Sequence, residues 1–442
     1  MRTVIRQKLA DNLASELPLL TRRDARIPAL PGKAHAVIGM RRAGKSCFLK
    51  QCLADRAKAG VPRDALVYFS FEDERLAGLQ ASQLGWVLEE YYLAKPQYRD
   101  QQKVVFCFDE IQVIPGWETF IRRILDSENL EIFISGSSAR MLSREIATAL
   151  RGRSTETVIY PFSFREHLRH RGIEIPQNPA FVPKARRSEI EHAFLAYLAQ
   201  GGFPEAQGLE FSDRIDLLQG YVETVIFRDV VERHQAGNVE ALRRLVRQLL
   251  ASPASGFSVH KFFHDLRSQG VAVGKDTLHS MLAWLEDAFL IRLVPLDSTS
   301  ERQRQVNPRK VYPVDHGLIP VFDRSGKANT GHALETTVLI ELERRHYQVA
   351  YVKTPRGKEV DFAARTRDAQ VVYIQVCADL NSDEVCQREI EPLNEMLAAK
   401  PGAKGWLLTL TTTDVAVAQK HAPAGVTVKP AWEWLLEDAA GG

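Results

Sequence analysis

The residues with the clearest chemical meaning are two glycines, a lysine and a serine in the stretch GMRRAGKS, residues 39–46. The stretch fits G-x-x-x-x-G-K-[ST], in which glycines let successive backbone N–H groups point at phosphate oxygens. The lysine of such a loop reaches the β- and γ-phosphates, and the serine hydroxyl binds Mg²⁺. The stretch therefore predicts a loop that binds ATP with Mg²⁺; the alternative is a glycine-containing surface turn. The candidate nucleotide-binding residues are Gly39, Arg42, Ala43, Gly44, Lys45, Ser46 and Cys47.

Two adjacent acids end a strongly hydrophobic segment, KVVFCFDEIQ at residues 103–112. A fully apolar strand is typical of a sheet covered on both faces, and ligands bind at the carboxyl ends of such strands. We expect Asp109 to hold Mg²⁺, directly or through water, and Glu110 to orient and deprotonate the attacking water. Without the phosphate loop upstream, a solvated acidic turn would be the favoured explanation of the pair.

Further serines and arginines follow at positions that could meet a phosphate. Ser135 and Ser137 come at the end of the hydrophobic segment LEIFISGSS, and Arg151 and Arg153 flank a glycine before the next predicted strand. An arginine near the γ-phosphate stabilises transition-state charge, from the same or a neighbouring subunit. A serine turn and a solvated basic turn are the alternatives. The predicted catalytic residues are Glu110, Lys45, Ser135 and Arg153, and the predicted metal ligands are Ser46 and Asp109.

The elements that must position these residues alternate between strand and helix. HAVIG predicts a short buried strand before the loop, and SCFLKQCLADRAKAG predicts a helix after it that ends at Gly60. ALVYFSFED predicts another strand before the acidic one. Helices that alternate with buried strands are typical of α/β proteins with a parallel sheet.

Length, composition and cysteine spacing limit the class of protein to which the chain can belong. The 442 residues are 45% hydrophobic and 26% charged with a net charge of +3, which is ordinary for a globular protein of several domains. No run approaches eighteen apolar residues, so we expect no membrane contact. The five cysteines form no CxxC pair, which excludes zinc and disulfide frameworks and favours a reducing, cytoplasmic location.

The middle of the chain carries an excess of basic residues. Residues 239–310 contain eleven Lys/Arg and seven Asp/Glu, a net charge of +4. Three short predicted helices followed by a strand pair resemble a winged helix, and the patch is a candidate contact for nucleic-acid phosphates. The patch residues are Arg243, Arg244 and Arg247 on the first helix and Arg302, Arg304, Arg309 and Lys310 on the expected wing. The third helix exposes a poor set for reading bases, so protein packing is the alternative.

The C-terminal part resembles the restriction-endonuclease-like fold. Active members use an acid followed by D…(D/E)-x-K, and Glu335 and Asp361 match the first two positions, whereas Gln375 stands at the second acid. Cys377 stands where the catalytic lysine should be, and a thiol supplies no fixed positive charge. Lys358 or Lys353 could substitute from a neighbouring strand. Residues 331–442 contain twelve basic and sixteen acidic residues, so we expect a degenerate nuclease domain.

The order of motifs resembles that of prokaryotic AAA+-superfamily ATPases with a C-terminal domain of unknown function. The matched stretches are the phosphate loop, FSFED, FDE, ISGSS, LRGR, YPFSFREHL, GGFPEA, YVETVIFRDVVER and RKVYPVDHGL. The resemblance implies ATP binding and hydrolysis, and a P-loop NTPase (AAA+-like) α/β fold. We expect four domains: the ATPase with an N-terminal helix at 1–165, a helical bridge at 166–238, a winged-helix-like module at 239–312 and a nuclease-like domain at 313–442.

Three functions remain open at this stage. The first is a slow Mg²⁺-dependent ATPase that couples nucleotide state to nucleic-acid binding or remodelling. The second is a regulatory ATPase switch that acts on a protein partner or by self-association. The third, less favoured, is an ATP-regulated nuclease. A small-molecule kinase is disfavoured because the chain is long for that class and Glu110 suits water better than a bound hydroxyl.

Overall fold

The computed structural model describes residues 1–28, 30–136, 150, 152–323, 329–380 and 382–438. The chain divides into two compact units, residues 1–159 with 287–289, and residues 160–286 with 290–442. The boundary after residue 159 lies close to the predicted end of the ATPase domain at 165. No helix in the described ranges is long and apolar enough to cross a membrane.

The first unit is a parallel sheet with helices on both faces. Its five strands lie in the order β2-β3-β4-β1-β5, and every pair is parallel, as predicted. The helices and strands of its described residues are α1 (Arg2–Ala14), β1 (Ala34–Ile38), α2 (Lys45–Lys58), β2 (Leu66–Ser70), α3 (Gly85–Ala94), β3 (Val104–Asp109), α4 (Trp117–Ser127), β4 (Leu130–Ser135) and β5 (Ser154–Val158).

The two faces of β3 explain why its sequence is apolar throughout. All six of its residues are buried. Val105 and Cys107 belong to a core shared with α2, whereas Phe106 and Phe108 stack on each other and Phe106 meets Tyr91 of α3. Successive side chains of a strand point to opposite faces, so a sheet covered on both sides requires hydrophobic residues at every position. This burial fixes the strand whose end carries the two acids.

The second unit contains two sheets. A three-stranded antiparallel sheet has the order β6-β8-β7, and a five-stranded mixed sheet has the order β13-β12-β11-β10-β9. Its helices begin with α5 (Phe164–His170), α6 (Lys184–Gln200) and α7 (Phe211–Thr224), which continues as a π-helix at Val225–Glu232. The segment that follows comprises α8 (Val239–Ala251), β6 (Ser255–Phe257), α9 (Val259–Ser268), α10 (Lys275–Asp287), β7 (Ile291–Val294), α11 (Glu301–Val306) and β8 (Arg309–Pro313).

The elements of the mixed sheet complete the second unit. They are α12 (Ile319–Phe322), α13 (Thr330–Arg344), β9 (Gln348–Lys353), β10 (Glu359–Arg365), β11 (Val371–Cys377), α14 (Asp383–Ala399), β12 (Lys404–Thr409), α15 (Thr412–Ala418), β13 (Val426–Pro430) and α16 (Ala431–Leu436). The strands β9, β10 and β11 are antiparallel, and β11, β12 and β13 are parallel.

One hydrophobic core runs through all three segments that we expected to be separate domains in this unit. It joins Phe194 of α6, Tyr312 of β8, and Phe362 and Trp434 of the C-terminal part. Because these segments bury side chains against one another, they form one compact unit rather than three. The finer boundaries at 238 and 312 stay predictions.

Candidate nucleotide-binding site

The phosphate loop follows β1 directly and adopts left-handed backbone conformations. Gly39, Arg42 and Gly44 have φ angles of 144°, 64° and 99°. A Cβ atom on Gly39 would lie 2.2 Å from the carbonyl oxygen of Ile159, which follows β5. Only glycine fits there, since any side chain would collide with backbone. The first glycine of the motif is therefore fixed by close packing as well as by its φ angle.

Lys45 is the first residue of α2, and its side chain lies inside the loop. The residue is only 6% exposed, and its Nζ donates to the carbonyl oxygens of Gly39 at 3.1 Å and Met40 at 3.0 Å. These acceptors are neutral backbone groups of the loop itself. The ammonium thus lies beside the N-terminus of α2, where the helix dipole and free N–H groups favour an anion.

A segment ahead of β1 forms hydrogen bonds with the phosphate loop and with α2. The guanidinium of Arg23, which is 5% exposed, donates to the carbonyl of Ala43 at 2.9 Å. The backbone N–H of Arg23 donates to the Gln51 side chain at 2.7 Å, and the Gln51 amide donates back to the Arg23 carbonyl at 3.1 Å. Gln51 lies on α2, so these three bonds hold the loop and its helix together. The sequence interpretation missed both residues, because neither belongs to a nucleotide-binding pattern.

Hydroxyl groups connect the loop to the acidic strand. Asp109 is 3% exposed, and its two carboxylate oxygens accept hydrogen bonds from Tyr68 and Ser135. The Ser46 side chain lies close to the Tyr68 hydroxyl. Burial and the adjacent carboxylate of Asp109 raise the pKa of Tyr68, so the phenol remains a donor at neutral pH. The Tyr68 hydroxyl therefore lies between the two predicted metal ligands, Ser46 and Asp109.

Glu110 has an unusual backbone conformation for its residue type. Its φ is 54°, and its N–H donates to the hydroxyl of Ser135 at 3.2 Å. Its carboxylate accepts a hydrogen bond from the amide of Gln112. Non-glycine residues rarely adopt positive φ, and when they do they concentrate at functional sites. Ser135 thus touches both predicted acids, which places it within the site.

The structure places Arg153 away from this site within the same chain. Arg153 precedes β5, and its carbonyl pairs with the N–H of Ala34 at the start of β1. The phosphate loop follows the other end of β1, and a five-residue strand spans about 13 Å. The Arg153 guanidinium pairs instead with Asp126. A catalytic role within the same subunit is therefore wrong, and a role toward a neighbouring subunit stays a prediction. Ser137 and Arg151 lie outside the described residues.

The basic patch is smaller than the sequence suggested. Lys310 is 5% exposed and is surrounded by carboxylates, so its assignment to a phosphate-binding wing is wrong. Arg243 pairs with Glu223, and Arg244 pairs with Glu240. The exposed Lys and Arg residues of 239–310 are Arg247, Lys261, Arg267, Lys275, Arg302, Arg304 and Arg309.

The nuclease-like residues lie partly together. Glu335 and Asp361 both approach Lys310, at 3.2 Å and 3.6 Å. The Gln375 side chain accepts from the Asp361 N–H at 3.4 Å, whereas the buried Cys377 thiol donates to the Asp379 carbonyl at 3.2 Å. Burial raises the pKa of Cys377 to about 12, which leaves it an uncharged thiol. Lys358, one of the two lysines that could replace the missing catalytic lysine, forms an ion pair with Glu391.

Mg²⁺ suits the donor atoms of the first unit. This ion prefers oxygen ligands, usually one or two from the protein with phosphate and water oxygens completing the shell. The Ser46 hydroxyl and the Asp109 carboxylate are such donors. Within the described ranges no group of three or more His, Cys, Asp or Glu side chains could hold a metal ion by itself. A cation at Ser46 and Asp109 would therefore share its coordination with the phosphates of a nucleotide.

The fold and the loop define the class of the first unit. Residues 31–168 match the family of AAA domains, and residues 191–327 match a domain of unknown function (DUF8612). With a parallel sheet, a phosphate loop after β1 and two acids at the end of β3, the first unit is an AAA-type P-loop ATPase domain.

Two relatives cover most of the chain. An uncharacterized protein of Methanocaldococcus jannaschii is 30% identical over 446 residues, 98% of this chain and 96% of the relative. An uncharacterized protein of Haemophilus influenzae is 28% identical over 349 residues, 78% of this chain and 82% of the relative. The chain belongs to the family of the M. jannaschii protein. The Walker-type ATPase of Pyrococcus abyssi is similar with a TM-score of 0.42 and 14% identity, over 73% of this chain and 95% of that one.

Proposed function

We propose that the protein hydrolyses ATP in a slow, Mg²⁺-dependent reaction at the loop and the acidic strand end of its first unit. The observation that carries this proposal is an arrangement in which Ser46 lies close to Tyr68, the Tyr68 hydroxyl donates to Asp109, and Asp109 also accepts from Ser135. It joins the loop, β2, β3 and β4 at one edge of the sheet, where open α/β folds bind their ligands.

Each residue of the proposed site has a separate task. Lys45 leaves its backbone acceptors to bind the β- and γ-phosphates, and the loop N–H groups bind their oxygens. Mg²⁺ neutralises charge on the phosphates when it is bound. Glu110 accepts a proton from the attacking water, and Ser135 holds the backbone of Glu110 in its left-handed conformation. Gln112 keeps the carboxylate of Glu110 oriented before the water arrives.

The test is steady-state phosphate release with Mg-ATP for the wild type and Glu110→Gln. We expect Glu110→Gln to bind ATP with unchanged affinity and to lose about 10²–10⁴-fold in turnover, the usual contribution of a general base. Glu74→Gln is the matched control, because Glu74 is an exposed acid of the same unit. Equal turnover in the wild type and Glu110→Gln would refute the assignment of the base.

We propose further that residues 239–312 form a winged-helix module through which ATP turnover is coupled to nucleic acid. The support is the element order helix, strand, helix, helix, strand, short helix, strand with the sheet order β6-β8-β7, together with seven exposed Lys and Arg residues. Each phosphate contact releases counterions, so the logarithm of the binding constant falls with the logarithm of salt by about 0.9 per contact.

The test of this coupling is duplex DNA binding across a salt series, together with phosphate release with and without DNA. We expect the triple change Arg302→Ala, Arg304→Ala and Arg309→Ala to weaken binding and to reduce the salt slope by up to about 3. The control triple, Arg356→Ala, Arg388→Ala and Lys420→Ala, removes the same charge from exposed positions elsewhere in the second unit.

The alternative is an ATPase switch that acts on a protein partner. The observation that favours it is the partial neutralisation of the basic patch by burial of Lys310 and by the ion pairs of Arg243 and Arg244. Turnover that does not respond to DNA, with no DNA binding at low salt, would select this function. Different protease cleavage patterns in ATP and ADP would then show the switch.

A further inference from the structure

A buried ionic cluster in the second unit centres on Lys310 of β8. Its Nζ lies 2.7 Å from Glu359 Oε1, 3.2 Å from Glu335 Oε1 and 3.6 Å from Asp361 Oδ1. The Lys310 side chain is 6% exposed, and those of Glu335 and Asp361 are each 13% exposed. One ammonium therefore lies near three acidic side chains, of which two are on β10 and one is on α13.

Two further protein groups donate hydrogen bonds to the carboxylates of the cluster. The Tyr312 hydroxyl donates to Glu335 Oε1 at 2.6 Å, and the backbone N–H of Val376 donates to Asp361 Oδ2 at 2.9 Å. Tyr312 is two residues from Lys310 on the same strand, so both side chains lie on one face of β8. A single strand thus supplies both the cation and a hydroxyl to the carboxylates.

The charge balance agrees with this geometry. Burial and the neighbouring Glu335 raise the pKa of Asp361, which favours its protonated form. Burial opposes the charged form of Lys310, but the neighbouring carboxylates outweigh it and raise the pKa of Lys310, which keeps it charged. Glu359 is 43% exposed and remains hydrated. The ammonium, one buried carboxylate and one hydrated carboxylate then leave little unbalanced charge inside the unit.

We propose that the ammonium of Lys310 occupies the cation position of this carboxylate cluster, so that the nuclease-like part of the chain holds an internal cation in place of a divalent metal ion. A metal ion and the ammonium would need the same oxygen atoms of Glu335, Glu359 and Asp361. The ammonium lies where a divalent ion in contact with all three side chains would lie, and two cations at that position would repel each other, since hard divalent ions require direct contact with several oxygens. The wild-type cluster is therefore closed to Mg²⁺ and Mn²⁺.

Gln375 and Cys377 have a clear consequence in this arrangement. Gln375 contributes a neutral amide at the position of an acid, and its Nε2 donates to Glu389 at 3.2 Å. A fourth carboxylate at that position would exceed what one ammonium can balance. Cys377 contributes no charge. Both departures from the nuclease pattern suit a cluster that is neutralised by a single lysine from another sheet.

The test is a Mn²⁺ titration of the full chain without nucleotide, followed by electron paramagnetic resonance of the free ion. Asp109→Asn is introduced in every sample to remove the metal ligand of the first unit. We expect Lys310→Ala in this background to bind one more Mn²⁺ per chain than its parent, and Mn²⁺ to raise its Tm by several degrees. The extra ion should be lost when Asp361→Asn is added.

The matched control is Lys358→Ala, which removes an ammonium from the neighbouring Lys358–Glu391 pair and should create no site. A folded Lys310→Ala variant that binds no additional Mn²⁺ overturns the proposal. If Lys310→Ala does not fold, the chain that carries only Asp109→Asn (the parent) still provides a test. Glu359→Gln in the parent should leave Mn²⁺ stoichiometry unchanged, and loss of a bound ion through this change overturns the proposal.

Plasmid cleavage provides an independent check on wild-type protein. We expect no nicking in Mg²⁺ or Mn²⁺, because a closed cluster cannot activate water on a metal ion. Nicking that disappears in Asp361→Asn would show that a metal ion enters the cluster despite Lys310. This outcome does not depend on ATP hydrolysis, so failure here and failure of the proposed ATPase are distinguishable.

Discussion

The two units each bury a lysine, and the hydrogen bonds and ion pairs described for the two lysines have different kinds of acceptor. Lys45 is 6% exposed and donates to two neutral carbonyls of its own loop, whereas Lys310 is 5% exposed and lies among three carboxylates. A phosphate can replace neutral acceptors around a lysine at little cost. The Lys310 cluster cannot release its ammonium without leaving buried carboxylate charge unpaired. We therefore propose that similar burial gives a ligand-binding lysine in one unit and a structural lysine in the other.

The two lysines should differ most when each is replaced by methionine, which removes the ammonium and keeps a side chain of similar length. Lys310→Met leaves buried carboxylates unpaired, which should cost about 3–5 kcal/mol of stability and leave nucleotide affinity unchanged. Lys45→Met should weaken ATP binding by at least about 100-fold with little change in Tm. Thermal unfolding and nucleotide titration measure both effects. The comparison fails if Lys45→Met destabilises the protein as strongly as Lys310→Met.

His167, a buried histidine of the second unit, predicts that the stability of this unit depends on pH. His167 is fully buried and hydrogen-bonds Gln207 at 2.8 Å, and burial lowers its pKa from 6.5 to about 4. A lowered folded-state pKa gives stability that is complete above pH 6.5 and is lost as the pH falls toward 4. The loss should reach about 3 kcal/mol, from 1.36 kcal/mol per pKa unit.

Urea unfolding at pH 7 and pH 4.5 measures this dependence. His167→Gln should lower stability at pH 7 and flatten its pH dependence, because the variant has no proton to gain at this position. His192→Gln is the control, since His192 is exposed on α6. An unchanged pH dependence in His167→Gln would remove His167 from the explanation.

A phosphate loop that binds a ligand depends on backbone packing as well as on Lys45. Gly39→Ala places a Cβ 2.2 Å from the Ile159 carbonyl, so we expect a displaced loop and ATP affinity reduced by about 10–100-fold, or roughly 1.4–2.8 kcal/mol. Gly60→Ala is the control, because Gly60 also has positive φ but has open space around its Cβ position. Equal ATP affinity in the two variants would contradict a steric role for Gly39.

A further prediction tests whether Tyr68 positions the candidate metal ligands of the first unit. Tyr68→Phe removes a charge-assisted hydrogen bond to Asp109, worth about 1.5–3 kcal/mol. We expect a higher Mg²⁺ concentration for half-maximal turnover, with ATP affinity in the absence of Mg²⁺ unchanged. Tyr91→Phe is the control, because its hydroxyl bonds only the Asp64 carbonyl among the contacts described, at 2.9 Å. An unaltered Mg²⁺ dependence would assign Tyr68 to packing alone.

Much of the first unit could be predicted because its signals are local. The loop spacing and the apolar strand before Asp109 are each contained in about ten residues, and the structure has the predicted parallel sheet. Arg153 shows where local interpretation failed. It was assigned to the phosphates from its glycine neighbour, yet it precedes its strand, and in a parallel sheet that end lies opposite the loop.

Tyr68, Arg23 and Lys310 could not be found from local patterns. Tyr68 meets Asp109 because β2 and β3 are neighbours in the sheet, and Arg23 meets the loop because a segment before β1 packs against α2. Lys310 is 25 residues from Glu335 along the chain. Its sequence neighbours Arg302, Arg304 and Arg309 are all exposed, so charge counting placed it on a basic surface.

The amino-acid sequence was sufficient for the phosphate loop, the acidic strand end and the α/β class, because backbone conformation and burial impose those patterns within short segments. Tertiary structure assigned the two buried lysines to different roles, since the partners of a charged side chain are set by which strands and helices pack around it. The electrostatic energy of a buried ammonium depends on those partners within a few ångströms, and distance along the chain does not determine them.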